Sequence, residues 1–226
     1  MRIGTLAENL GRDPAAAYYA DLAFLKPAAT RTLMGLSPDR DPRTSPVYEA
    51  VTEPYRRCPS SSALQKAEYA DLKVYMPNDP LVKVDRMSMA HSLEVRCPLL
   101  DHRVVELAFR IPAAKKQEGH QGKALLRALA RRRLPGKLWQ LPKRGFTAPV
   151  GEWIGGPHAD RFRDEVLRPG SAVANHVDVA ELGNRFAAHR AGRTDDGYTF
   201  WAVWVLERWL DQGRASRREA MSGASR

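Results

Sequence analysis

The stretch Tyr75-Met-Pro-Asn-Asp79-Pro-Leu-Val-Lys83-Val-Asp85-Arg86-Met-Ser88-Met89-Ala-His-Ser-Leu93-Glu94-Val95-Arg96-Cys97-Pro98-Leu-Leu-Asp101-His102 decides how the chain folds. Asp79-Pro80 is a helix start: the aspartate caps, and proline takes the first helical position, where its missing N–H costs nothing. The spacing predicts a helix from there through Leu81, Val84, Met87, Ser88 and His91. Pro77 is expected to end the preceding helix, which begins at Ala63 and carries Leu64, Ala67, Ala70, Leu72 and Tyr75 on one apolar side. Leu93 to Leu100 is a short apolar run that could be extended, because a residue before proline, here Cys97, is pushed out of the helical region. Asp101 then caps a helix whose Val104, Val105, Ala108 and Phe109 point inward.

Within this stretch Lys83, Asp85, Arg86 and Ser88 interleave with Leu81, Val84 and Met87 to Met89, so the polar side chains cannot all face solvent if the apolar ones pack on two sides. Some are expected to pair inside, and from spacing alone an ion-paired helix locking neighbouring segments accounts for them. Glu94 and Arg96 alternate with Leu93 and Val95 and read as a buried pair.

Working outward, helical periodicity dominates and the chain reads as mainly α. Asp13-Pro14 starts a helix that stops before Pro27, and Gly35 to Ser62 reads as loop with one short helix near Val47 to Val51. Gln121 to Leu134 reads as a helix closed by Pro135-Gly136, and Leu141 to Val150 as a loop. Further helices are expected from Gly151 past Pro157 to Leu167, over Asp178 to Arg190, and over Tyr198 to Leu210. In the last, Tyr198, Trp201, Ala202, Val205 and Trp209 form the apolar face expected to pack inward. Residues 1–212 are expected to form the folded portion and 213–226 a disordered basic tail.

The 226 residues suffice for a sizeable core, and 43% apolar with 27% charged residues is ordinary globular usage. No run approaches the roughly 18 apolar residues of a membrane span, and the chain reads by default as cytoplasmic. Cys58 and Cys97 have no CxxC partner, and the six histidines match no metal-binding spacing. A metal held by side chains alone is therefore not expected. A formal charge of +10 favours polyanionic partners such as nucleic acid, a membrane surface or a phosphate-rich substrate, without choosing among them.

Two loops could meet phosphate. Gly119-His120-Gln121-Gly122-Lys123-Ala124 places a lysine at a helix start, but the glycine spacing and the Ala after Lys123 do not fit a Walker loop. In Leu141-Pro142-Lys143-Arg144-Gly145-Phe146-Thr147, proline and glycine fix a turn around adjacent cations. Such a pair suits an anion between them, although a surface loop with basic tips fits the composition equally.

Taken together, residues 75–102, Gly122-Lys123-Ala-Leu-Leu-Arg127 with Leu134-Pro135, and Pro142-Lys143-Arg144-Gly145-Phe146-Thr-Ala-Pro149-Val-Gly-Glu152-Trp153 resemble the asparagine synthetase (glutamine-hydrolysing) family. The resemblance is specific from about Leu72 to Trp153 and looser outside it. It implies the helical C-terminal half of an α/β ATP-pyrophosphatase (adenine nucleotide alpha hydrolase-like) synthetase domain, using ATP with magnesium held mainly through the phosphates. That chemistry adenylates a carboxylate, aspartate in this family, and lets glutamine-derived ammonia displace AMP. By resemblance Lys143 steadies charge on the phosphates and tetrahedral intermediate, with Lys123 a second basic position. Arg144 lies beside Lys143 in the same phosphate-facing loop, and Asp85, Arg86, Glu94 and Arg96 match positions that line or brace the site.

The departures carry equal weight. Residue 2 is Arg, where the family's glutaminase has its nucleophilic Cys, and these 226 residues contain neither a Ser-Gly-Gly-x-Asp-Ser turn nor the acidic Gly-Glu-Gly-x-Asp-Glu stretch. The expectation is a portion of a synthetase, inactive alone, whose ATP loop and glutaminase come from elsewhere, as in a partner chain. A relative closing a β-lactam or peptide ring by the same adenylation is one alternative. A non-catalytic basic helical module is another, ranked below it because no recognition-helix motif or basic face with interleaved aromatics is present.

Overall fold

The computed structural model describes residues 11–23, 25–37, 41–119, 121–139, 141 and 148–223. The chain is mainly helical, as expected, and among the described residues the strand pairing is one two-residue antiparallel bridge of Gln117–Glu118 with Gln121–Gly122. It divides into two compact units, one of Met1–Tyr19 and Arg43–Gly145, the other of Ala20–Pro42 and Phe146–Arg226.

In the first unit, Pro46–Arg57 is a full helix where the sequence predicted mostly loop. Ser45 accepts a hydrogen bond from the Val47 amide, Pro46 begins the helix, and Tyr48, Thr52 and Tyr55 recur on its buried side. Those three contacts outweigh the missing donor of Pro54. Tyr55 stacks on Tyr18 at 5.4 Å, above Ala15 and Ala70.

The break expected at Pro77 does not occur. Ala63–Ala70 continues through two wide turns, Asp71–Tyr75 and Pro77–Leu81, into Val82–Met89. In these turns the N–H reaches the fifth preceding carbonyl, and the wider winding relieves the clash of a proline ring with the carbonyl four residues back. Asn78 Nδ2 donates to Val74 O at 2.7 Å, giving one of the displaced carbonyls a partner. The Val82–Met89 helix ends with Ser92 left-handed at φ 56°, Leu93 N–H donating to Ser88 O and Ser92 N–H to Met89 O, a closure more often made by glycine.

Leu93 to Cys97 has no strand partner among the described residues, and Pro98–Leu100 is a 3₁₀ turn. Asp101 caps His102–Arg110 by accepting from the Arg103 amide, as predicted. The helix expected from Gln121 starts instead at Ala124, because Gln121 and Gly122 are spent in the bridge.

The second unit holds the larger core. Ile154, Phe162, Val166, Val173, Leu182, Phe186 and Phe200 are nearly inaccessible. Phe162 meets Phe186 at 4.8 Å, Phe200 at 5.4 Å and Trp204 at 5.7 Å. Val150–Gly155 and Ala159–Val166 are separate helices, and Asp178 caps Val179–Arg190 by accepting from the Ala180 and Glu181 amides.

The last helix, Gly197–Gly223, turns the face opposite to the expected one inward. Phe200, Val203, Trp204 and Glu207 are buried, while Trp201, Val205 and Trp209 are 46%, 50% and 68% exposed. Two apolar stripes compete on this helix, and the inner one wins because its rings interlock with Phe162 and its carboxylate finds partners. Glu207 accepts from the Val173 amide at 2.7 Å. The helical backbone also runs on to Gly223, into the stretch expected as a disordered tail from 213, where Arg, Ala, Glu and Met favour helix.

Glu165 ties this helix down by accepting from Trp204 Nε1 at 2.7 Å and from Arg161 and Arg208. Burial pushes its carboxyl up, but these three hydrogen bonds and the Arg208 charge outweigh burial and hold it at about 2. The folded value lies below the ordinary one, so the stabilisation is complete above about pH 4.5 and drains away as pH falls toward 2. Denaturant midpoints of the wild type should fall over that window, and Glu165→Gln should flatten the fall. Phe162→Ala should cost about 3–5 kcal/mol in denaturant unfolding, whereas Trp209→Ala should stay within about 0.5 kcal/mol.

Candidate functional site

The Val82–Met89 helix carries Asp85 and Arg86, and no residue of it is buried. This overturns the expectation of internal pairing there. Lys83 Nζ lies 3.2 Å from Asp79 Oδ1 on the exposed surface, and Ser88 Oγ donates to Asp85 O within the helix. Glu94 and Arg96 do pair with each other, but both are exposed rather than buried, because Leu93 to Cys97 packs under no neighbouring strand. Asp101 accepts from the Arg103 amide and guanidinium, which hold its carboxyl below the ordinary value.

Lys123 stands immediately before Ala124–Arg133, at a helix start as its motif implies. Its backbone is left-handed, φ 63°, an uncommon setting for a residue with a side chain. The bridge before it and the helix after it hold that conformation from both sides. Lys143 and Arg144 lie outside the described residues.

Lys123 also borders a cleft of about 560 Å³ in the first unit, walled by Leu72, Met76, Val104, Ala108 and Leu126. Glu68, Asp71 and Lys116 add charge to these walls. Lys116 Nζ meets Glu68 Oε2 at 2.5 Å, and Tyr18 donates to Asp71 Oδ1 at 2.8 Å. Burial pushes the Asp71 carboxyl up and Glu68 adds to this, against the Tyr18 hydrogen bond. Burial likewise raises the Tyr18 hydroxyl. Sequence reading passed over this group; its signal was Glu68 and Asp71 set three apart on a helix side otherwise built from Leu64, Leu72 and their neighbours.

The described residues bring together Glu94 with Arg96 and Lys123 with the cleft, and join neither Asp85 nor Arg86 to another of the motif side chains. They can present cations and carboxylates on an open, partly apolar surface. Among the described residues no three His, Cys, Asp or Glu side chains converge as metal ligands. Nor is any helix among them long and apolar enough to cross a membrane.

Comparison with known proteins agrees with the motif reading. A Bacillus subtilis protein named glutamine-hydrolysing asparagine synthetase 1 is 32% identical over 164 residues, 72% of this chain and 26% of its own length. A Mycobacterium tuberculosis protein also named as a glutamine-hydrolysing asparagine synthetase is 30% identical over 195 residues, 85% of this chain and 29% of its own. Amidase chry2 of Gibberella zeae is 29% identical over 119 residues, 50% of this chain and 18% of its own. The chain thus spans less than a third of the length of these relatives. No solved structure matches it. The pattern of the asparagine synthase family matches residues 5–211, and the chain belongs to that family.

Proposed function

We propose that the chain is the helical C-terminal part of an ATP-dependent, asparagine-forming synthetase. An aspartate carboxylate oxygen attacks the α-phosphorus of ATP, pyrophosphate leaves, and ammonia then attacks the acyl carbon and expels AMP. The observation that carries this reading is the exposure of the family motif itself. Met87, Met89, Leu93, Val95 and Leu99 are 49–64% exposed around Asp85, Arg86, Glu94 and Arg96. A segment that matches the family closely yet packs under none of the described residues of its unit has its role in contacts with substrate or with further polypeptide.

In this reading Lys143 stabilises charge on the departing pyrophosphate, Lys123 supports it, and Arg144 adds a planar fork for phosphate oxygens. Asp85, Arg86, Glu94 and Arg96 line or brace the pocket. The glycine-rich ATP loop and the ammonia-releasing glutaminase come from polypeptide outside these 226 residues, since neither motif occurs in them. Magnesium arrives on the phosphates, which fits a motif surface with scattered rather than converging carboxylates. A second reading is closure of a β-lactam or peptide ring on another carboxylate by the same activation, since the motif residues present here suit adenylation of any carboxylate.

The chain alone should give no aspartate-dependent ATP–pyrophosphate exchange; robust exchange would overturn the division of the site. Combined with polypeptide bearing the ATP loop it should gain exchange, and dependence on a carboxylate other than aspartate would select the second reading. Lys143→Ala should abolish synthesis in that assembly while leaving thermal unfolding unchanged, and wild-type turnover would remove Lys143 from the machinery.

A further inference from the structure

The motif that contains Lys143 ends in Pro149-Val150-Gly151-Glu152-Trp153, and this end is held within the second unit by residues that lie outside every motif described above. His189, on the Val179–Arg190 helix, places Nε2 3.0 Å from Gly151 O. Its Nδ1 lies 3.4 Å from the Asp196 amide and 3.2 Å from Thr194 O, and its ring meets Phe200 edge-on at 5.3 Å. With the proton on Nε2, the ring donates to Gly151 O while Nδ1 accepts from Asp196. Tyr198 adds a weaker tie, its hydroxyl donating to Ala148 O at 3.4 Å.

Shape reinforces these bonds. A Cβ on Gly155 would stand 3.1 Å from His189 Nε2, and one on Gly151 3.3 Å from His189 Cε1. The imidazole therefore lies against the bare backbone of two glycines one helical turn apart. A Cβ on Gly197 would fall 2.4 Å from Gly151 Cα, so the start of the last helix also touches this backbone directly. Pinned along its glycine side, the Val150–Gly155 helix buries Val150 and Ile154 and leaves Glu152 and Trp153 exposed.

We infer that His189 is a positioning residue for synthesis: by holding Gly151 it fixes the Val150–Gly155 helix, which closes the motif that contains Lys143. The inference rests on the proposed function, and its test separates the two. Hydrogen exchange on the 226-residue chain reads the clamp without any activity. His189→Ala should speed exchange of the 150–155 amides by about tenfold or more, with the 159–166 amides unchanged. His189→Gln, whose amide donor reaches to a similar position, should restore protection. In the assembled synthetase, His189→Ala should lower kcat by about tenfold or more with little change in KM for aspartate, the pattern of an interaction used only in the transition state, and His189→Gln should recover it. Unchanged exchange at 150–155 in His189→Ala, exchange rising equally at 159–166, or wild-type kcat in that variant would each overturn the inference. Full turnover by Lys143→Ala alongside a slowed His189→Ala would instead overturn the assignment of Lys143 and leave the clamp standing.

Discussion

Pro77 and Pro80 cannot donate a backbone hydrogen bond, and the helix that contains them survives only by winding wider. The first unit depends on that accommodation. Had the chain broken at Pro77, Val82–Met89 would be a separate short helix free to choose its own direction, and eight residues with no buried side chain have little to direct them. Because the wide turns carry helical geometry through both prolines, Val82–Met89 inherits its direction from Ala63–Ala70, whose Ala70 is fully buried near Tyr55. The motif side chains are thus held out by a rod anchored at its other end. Wide turns of this kind are costly in an isolated helix and are common near functional sites.

The second unit solves a different problem. Its long final helix presents two apolar stripes, and hydrophobicity alone does not choose between them. The choice is made by shape and by charge: Phe200 and Trp204 fit around Phe162, while Glu207 satisfies an amide that the Ala172–Asn175 turn leaves open. A buried carboxylate without that partner would oppose the burial, so the hydrogen bond fixes the helix's rotation as much as the rings do. Glu165, from a neighbouring helix, grips Trp204 and Arg208 on the same side.

This division explains what was legible in the sequence. The cap at Asp101, the mainly helical class and the family motifs could be read because each depends on a few adjacent residues. The continuous rod, the Pro46–Arg57 helix and the inward face of the last helix could not. Each is settled by partners distant in sequence: Tyr18 for Tyr55, and Phe162 for Phe200 and Trp204. The interior pairing expected of Lys83, Asp85 and Arg86 failed for a related reason. That expectation assumed both sides of the helix were covered, and among the described residues of its unit neither is.

The same exposed helix bears on how the +10 charge is used. A nucleic-acid surface spreads cations along a groove and interleaves aromatics for stacking. Here the exposed motif instead mixes cations with carboxylates, Lys83 beside Asp79 and Arg96 beside Glu94, and separates them with methionine, valine and leucine. Carboxylates so close would repel a long polyanion and blunt the attraction of their neighbours. Balanced charge pairs on an exposed apolar ledge therefore disfavour a long polyanion, in keeping with the proposed function.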